Sequence, residues 1–205
     1  MYSPPYNRLE DRIELLAFLR ANSFPILVTG TGGVLHASHL PITAHDQGEQ
    51  IVIDMHMAKN NPQWKEFLDD EVMVIFAGPH AYVSPRWYAD VERVPTWNYA
   101  AVHAYGVPKI IVDRKAKAES QRRLIESLDP AWLPKHDALG QEYVDRMLDG
   151  IVNFSIAVTR IETRWKLSQN RGRREMELIA AALEKSADSG DRALAVLTRK
   201  HYVDK

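Results

Sequence analysis

The sequence predicts a mainly β fold of the α+β class, an antiparallel β-barrel with peripheral α-helices, and three observations point to it. Residues 50–57 alternate, with Ile51, Ile53 and Met55 on one face and Asp54 and His56 on the other, the period of a half-buried strand. The first three strand-like runs are joined by short polar or glycine-bearing turns, which suit antiparallel pairing, because a parallel pair needs a crossover of about a dozen residues. Six or seven such strands among helical stretches make one closed or nearly closed barrel, which removes exposed sheet edges.

Each element has a local reason. Asn7 and Glu10 have the form of an N-cap and its reciprocal partner, and Leu9, Ile13, Leu16 and Leu19 or Arg20 follow at helical spacing, so residues 8–21 are expected as a helix. FPILVTG then starts a strand, TGTGG (29–33) is its turn, and HASHLPI (36–42) is the next strand. Gly48 marks the turn into residues 50–57. Asn61-Pro62 reads as N-cap and first helical position, with Trp64, Phe67 and Leu68 as the buried face. Strands are expected at 72–77 and 81–84, then a loop over 85–95 carrying Trp87 and Tyr88. Residues 96–113 hold a long strand broken at Gly106-Val107-Pro108, and 114–128 and 138–149 are expected as helices. A long strand at 151–163, a polar loop at 166–171 and helices at 174–185 and 192–200 complete the chain. The expected division is a barrel domain with flanking helices over 1–186 and a helical tail over 187–205.

Composition excludes several classes. Of the 205 residues 45% are hydrophobic and 26% charged, an ordinary globular balance, and none is cysteine, so thiolate metal sites, disulfides and cysteine nucleophiles are ruled out. The start of the chain lacks the basic and apolar regions of a signal peptide, and no stretch approaches the roughly 20 apolar residues of a membrane span. A cytoplasmic location and no membrane partner are therefore expected. With 26 basic and 27 acidic side chains there is no global attraction for nucleic acid.

TGTGG lacks the third glycine of a dinucleotide fingerprint, that position being Leu35, and a strand rather than a helix follows, so it is a hairpin turn. The eight histidines show no metal-ligand spacing: His36 and His39 fall on opposite faces of a strand, and no third ligand accompanies His39 and His56. No GxSxG, paired-carboxylate frame or Walker lysine is present. Met57-Ala58-Lys59-Asn60-Asn61-Pro62 places a lysine and two amides just before an expected helix N-terminus, the chemistry that holds phosphate, against the alternative of a capped helix with a solvated lysine. The aromatic and proline clusters at 84–88 and 94–99 suit a planar, polar-edged ligand or ordinary loop packing. The donor-rich run at 166–171, with Arg173 and Arg174 beyond it, suits an anion, a partner subunit or solvent.

Six motifs, MYSPPYN, HASHLPI, MHMAKNNPQW, FAGPHAYVSPRWY, VPTWNYAAVHAYG and KLSQNR, occur in an order spanning roughly residues 1–175, and with them the chain resembles the PaiB-type family of FMN-binding transcriptional regulators. The resemblance implies a split β-barrel related to pyridoxamine-phosphate oxidases and flavin reductases, a homodimer, and FMN at the interface between subunits. It implies cofactor-binding roles for His56, Ala58, Lys59 and Asn60 around the phosphate, with Lys59 the counter-ion. His39, Leu40 and Pro41 would run beside the flavin, Thr96, Trp97 and Asn98 would line the pocket, and Lys166, Ser168, Gln169 and Asn170 would reach across the dimer. The family often has arginine at position 59; lysine keeps the charge and loses the bidentate fork.

The function implied is that of a negative transcriptional regulator, with DNA as a candidate partner through Arg164, Lys166, Arg171, Arg173 and Arg174. The alternative is an FMN-dependent oxidoreductase of flavin-reductase or pyridoxamine-phosphate-oxidase type, with an unidentified small molecule as substrate or effector. Its redox chemistry would reside in the flavin, so no catalytic residue need be visible. A haem-binding or cofactor-free split barrel is a third reading.

Overall fold

The computed structural model describes residues 1–67, 70–89 and 92–202. Among these the strands are β1 (Ile26–Thr31), β2 (Val34–His39), β3 (Ile42–Asp46), β4 (Ile51–Ala58), β5 (Val72–Val83), β6 (Thr96–Gly106), β7 (Pro108–Ile110), β8 (Ile151–Ala157) and β9 (Arg160–Lys166). The α-helices are α1 (Arg12–Ala21), α2 (Arg114–Leu128), α3 (Leu133–Asp137), α4 (Gln141–Asp149), α5 (Arg173–Leu183) and α6 (Ser189–Lys200). No helix among the described residues is long and apolar enough to cross a membrane.

The strands form two sheets, in the orders β2-β1-β5-β6-β9 and β3-β4-β8-β7, not one closed barrel. The difference arises where the sequence suggested single strands. HASHLPI is two: β2 ends at His39 and β3 begins at Ile42 in the other sheet. Between them Pro41 has no N–H to donate, while the Leu40 N–H reaches Pro25 O at 3.1 Å and that of Ile42 reaches Ser23 O at 2.9 Å. The expected strand at 151–163 divides at Val158-Thr159 into β8 and β9, again in different sheets. The break at Gly106-Val107-Pro108 is present as expected. Conversely, residues 72–84, expected as two strands, hold the single twelve-residue β5.

Contacts divide the chain into two units. The first comprises Arg12–Phe76 and His103–Ile161. In it Leu19, Leu27, Ile42, Ile53, Met55, Met57, Val74, Phe76, Phe154 and Ile156 are almost wholly buried. The alternation of β4 supplies three of these, and β8 meets it with Ile53 opposite Ile156 and Met55 opposite Phe154. TGTGG closes the β1–β2 hairpin, with Gly32 and Gly33 at φ +59° and +82°, a pair of values that excludes most side chains.

The second unit comprises Met1–Asp11, Ala77–Val102 and Glu162–Lys205. Its core is Ala81, Val83, Ala100, Val102 and Trp165 from strands and Leu167 just beyond β9, with Met176, Ile179, Ala180, Leu183, Leu194 and Ala195 from the α5–α6 pair. Here Leu9 is extended, because its N–H donates to the Thr163 hydroxyl at 2.8 Å and its carbonyl accepts from the same group at 3.1 Å.

That capture corrects the first helix, which starts at Arg12 and not at 8; Asn7 does not cap it, Ile13 is exposed, and Leu15, Leu16, Phe18 and Leu19 are buried instead. The helix expected after Asn61 is only a five-residue 3₁₀ turn, Pro62–Glu66. Its buried residue is Gln63, whereas Trp64 and Phe67 are half-buried, and Leu68 lies outside the described residues. The expected helix at 138–149 is α4, which begins only at Gln141 after a turn at Ala138–Gly140, and the short α3 precedes it where no helix was expected.

Candidate functional site

The residues expected to hold a cofactor fall into two sets, one in each unit. In the first unit β4 runs out into Ala58, Lys59 and Asn60, all exposed. The turn that follows is tied down by its own backbone. Lys59 N–H donates to Gly150 O at 2.9 Å, Asn61 N–H to Ala58 O at 2.9 Å, and the Trp64 indole N–H to Lys59 O at 2.9 Å. Asn61 caps the 3₁₀ turn by accepting from Gln63 N–H at 3.0 Å, and its amide donates to Ser38 Oγ at 3.0 Å. Gln63 locks the turn onto the β1–β2 hairpin, its amide Nε2 donating to Leu27 O (3.3 Å), Thr29 Oγ1 (3.2 Å) and His36 O (3.3 Å). Thr29 in turn donates to Glu66 at 2.7 Å, and His36 pairs with the same carboxylate.

An anion site here cannot rest on a helix dipole, because one 3₁₀ turn carries little and its first free N–H is already capped by Asn61. It rests on charge. The Lys117 ammonium donates to Leu148 O at 3.0 Å and Ile151 O at 3.3 Å. Burial holds its pKa below the usual lysine value, and the positive charges of Arg114 and Lys59 push the same way against Asp149. Lys59 therefore stands within electrostatic reach of Lys117. Arg114 is engaged with Asp145 at 2.9 Å and Asp149 at 2.7 Å. An exposed Lys59 ammonium, a neighbouring Lys117 and the Asn60 amide are a donor set that fits a phosphate group.

His39, Leu40 and Pro41 occupy the end of β2 and the passage into β3. The His39 ring lies against Phe24, with centroids 5.9 Å apart, and Leu40 is buried. His56 is half-buried and faces a cavity beneath α2 and α4, unlike the exposed Lys59. Burial holds its imidazole pKa below the ordinary value.

In the second unit Lys166 donates to Thr96 Oγ1, and burial followed by the Arg164 charge lowers its pKa. Asn98 is wholly buried; its amide donates to Ser168 Oγ at 2.9 Å, and that hydroxyl is 3.2 Å from Asn98 Oδ1. Ser168 sits at φ +68°, a left-handed conformation uncommon for serine, and Gln169 accepts from Leu167 N–H at 2.8 Å while donating to Trp165 O. The PTWNY and KLSQN segments thus meet, but Asn98, Ser168 and Gln169 spend their hydrogen bonds on the protein. Asn170 is exposed, and Trp97, 55% exposed, lies against His80 and Tyr82, each with ring centroids 6.2 Å away.

Several residues carry weight here without a sequence signal. Gln63, Lys117, Arg114 and a buried network in which Asp54 accepts from Arg123 at 2.7 Å and pairs with His45 at 3.0 Å all act across large sequence separations. Gln63 stood inside a recognisable motif; the others stood in none.

The two sheets with their flanking helices are an antiparallel split β-barrel of the flavoprotein class. Residues 1–160 match the family described as "Putative FMN-binding domain", and the chain belongs to that family. It is 35% identical, over 96% of each chain, to "Protease synthase and sporulation protein PAI 2" of Bacillus subtilis. Among solved structures it is similar in fold to the flavocytochrome Anf3 from Azotobacter vinelandii, with TM-score 0.61, 13% identity and coverage of 77% of this chain and 68% of that one. The FAD and heme binding protein from Mycobacterium smegmatis gives TM-score 0.60 at 14% identity, covering 77% and 72%. The cofactor that goes with the family is FMN.

Proposed function

We propose that this chain binds FMN as a homodimer and serves as a PaiB-type negative transcriptional regulator. The observation that carries the cofactor reading is the free ammonium of Lys59, raised beside Lys117 at the exposed end of β4, inside the region that matches the family. Lys59, Lys117 and Asn60 would hold the phosphate, and His39, Leu40 and Pro41 the ring edge. In the second unit Thr96, Trp97, Lys166 and Asn170 are further candidate flavin contacts, with Asn98, Ser168 and Gln169 fixing the loop that carries Lys166 and Asn170. Bound flavin supplies electron or hydride transfer; the side chains supply charge neutralisation and exclusion of water.

Two further features support a dimer. In the second unit Tyr82 and Trp97 are about half exposed on outward positions of β5 and β6, where alternate residues are buried. In the first unit Ile26, Val28, Met73, Ile75 and Tyr105 are likewise only half-covered. Aromatic and branched residues on open sheet faces are what a second subunit covers. The regulatory role is supported by the 35% identity to a protein named for protease synthesis and sporulation. Arg164, Lys166, Arg171, Arg173 and Arg174 are the candidate phosphate contacts, although Arg173 already donates to Glu177 at 2.9 Å.

The test is flavin titration of the purified chain followed by visible absorbance, with sedimentation run in parallel. One FMN per chain in a dimer, with Trp97→Lys weakening both association and uptake, is expected. A colourless monomer that takes up no FMN would overturn the reading. For the regulator, Arg173→Glu with Arg174→Glu should abolish a gel shift on the DNA upstream of the protein's own gene; an unaltered shift refutes that surface.

A further inference from the structure

β3 is an outer strand of the four-stranded sheet, so the side turned away from β4 has no strand to pair with. The end of α1 and the residues after it take that place. The Ile42 N–H donates to Ser23 O at 2.9 Å, and Ala44 O accepts from Arg20 Nε at 3.0 Å. In an antiparallel ladder a residue turns its N–H and C=O the same way, so the Ala44 N–H also faces this edge.

Arg20, in the last turn of α1, and Arg123, on α2, line one cavity of about 320 Å³ along the edge. Each guanidinium is fixed through a single nitrogen: Arg20 Nε by Ala44 O, and one Arg123 Nη by Asp54 at 2.7 Å. A guanidinium carries five N–H donors, and no other nitrogen of either arginine has a hydrogen-bond partner among the described residues. The nearby aspartates are already committed. Asp54 is buried between Arg123 and His45, and Asp46, within electrostatic reach of Arg20, takes two bonds from Arg12 at 2.8 and 3.1 Å. Glu126 is the one carboxylate in the lining, so two guanidinium charges face a single negative one.

We infer that this cavity binds a small organic acid with one carboxylate, taken by the unused donors of Arg20 and Arg123. Arginines anchored at one nitrogen have already lost much of their rotamer freedom, and a carboxylate matches the planar fork that each still presents. The body of the acid packs on Ile42 and Ala44, both buried, and on Leu128, which is 55% exposed at the rim. A dianion would meet Glu126 with the greater repulsion, which favours a single charge. The volume, at the lower end for ligand cavities, suits one ring. None of these residues belongs to the flavin set, so the site stands without that reading. In a regulator such a guest is an effector.

The probe is benzoate, titrated by calorimetry into the purified chain with and without added FMN, with benzamide as its uncharged counterpart. Saturable binding with a Kd of about 1 mM or tighter is expected in both conditions, and benzamide should be at least tenfold weaker. Arg20→Gln should weaken benzoate tenfold or more while melting within about 4 °C of the parent, since it gives up one hydrogen bond of an exposed side chain. Glu126→Gln removes the opposing charge and should tighten benzoate about threefold. The inference is overturned by the absence of saturable binding, by benzamide binding as well as benzoate, or by either variant leaving benzoate affinity unchanged. A flavin spectrum that shifts in step with benzoate saturation would place the acid at the flavin and overturn it equally.

Discussion

Replacing Gln63 by alanine tests how the turn that carries Lys59 is held. The side chain is 2% exposed, and its amide makes three contacts of 3.2–3.3 Å to Leu27 O, Thr29 Oγ1 and His36 O. Each buried hydrogen bond of ordinary strength is worth about 1 kcal/mol net. The bonds are long and share one nitrogen, so the amide contributes roughly 2 kcal/mol in total, and the lost methylene and amide volume adds about 1–2 kcal/mol. Gln63→Ala should therefore cost about 3–4 kcal/mol, lowering the melting temperature by roughly 6–16 °C for a chain of this size. Gln63→Met restores the volume without the donors and should recover only the packing share, which separates the two contributions. Urea denaturation of both variants, with FMN affinity measured on the same samples, is the assay. Because Gln63 positions the turn and does not face the ligand, affinity should fall most in Gln63→Ala, in step with stability. A Gln63→Ala protein that melts within 2 °C of the parent, or a Met variant as damaged as the alanine, would show that the amide is not the anchor.

Other substitutions read other parts of the fold. A Cβ on Gly106 would lie 2.4 Å from Ala157 O and 2.7 Å from Ile156 Cγ2, so Gly106→Ala should cost about 2–3 kcal/mol in denaturant unfolding. Lys59→Ala should weaken FMN about tenfold and flatten the salt dependence of its binding, whereas Lys59→Arg should bind at least as tightly as the parent. Acid titration of stability should show two stages. His56 is held neutral by burial, so the stability it contributes is complete above about pH 6.5 and falls as the pH drops from there toward its folded value. Burial pushes the Asp54 carboxyl up, but bonds from His45 and Arg123 outweigh it and leave its pKa below the usual range. Its share therefore persists above about pH 4 and is lost as the pH falls through the lowered value. His56→Gln should remove the upper stage alone and Asp54→Asn the lower.

What could be read from the chain followed the range of the interactions involved. The alternation of residues 51–57 and the paired glycines at 32 and 33 act locally, and both elements stand where the pattern placed them. The motifs that mark the family drew attention to Lys59, whose role in phosphate binding is the proposal made above. Errors arose where a distant group decided the outcome. Thr163 draws Leu9 out of a helix, Pro25 and Ser23 divide HASHLPI, and Tyr105 accepts from Thr159 N–H at 2.9 Å where a long strand was expected to continue. The helix at 62 failed for a reason of scale: Asn-Pro starts a helix, but nothing in the following residues sustains it beyond Glu66.

The helix α2 buries a single residue, Ser120, and is tied to its neighbours by Arg114, Lys117 and Arg123. Releasing it would uncover little apolar surface. Its excursions from the sheet should carry a shallow urea dependence and a marked response to ionic strength, and amide exchange along α2 should outpace that of β4 beneath it. The roof of the inner cavity is thus a door on ionic hinges, whose traffic the solvent's salt controls more than its denaturing power.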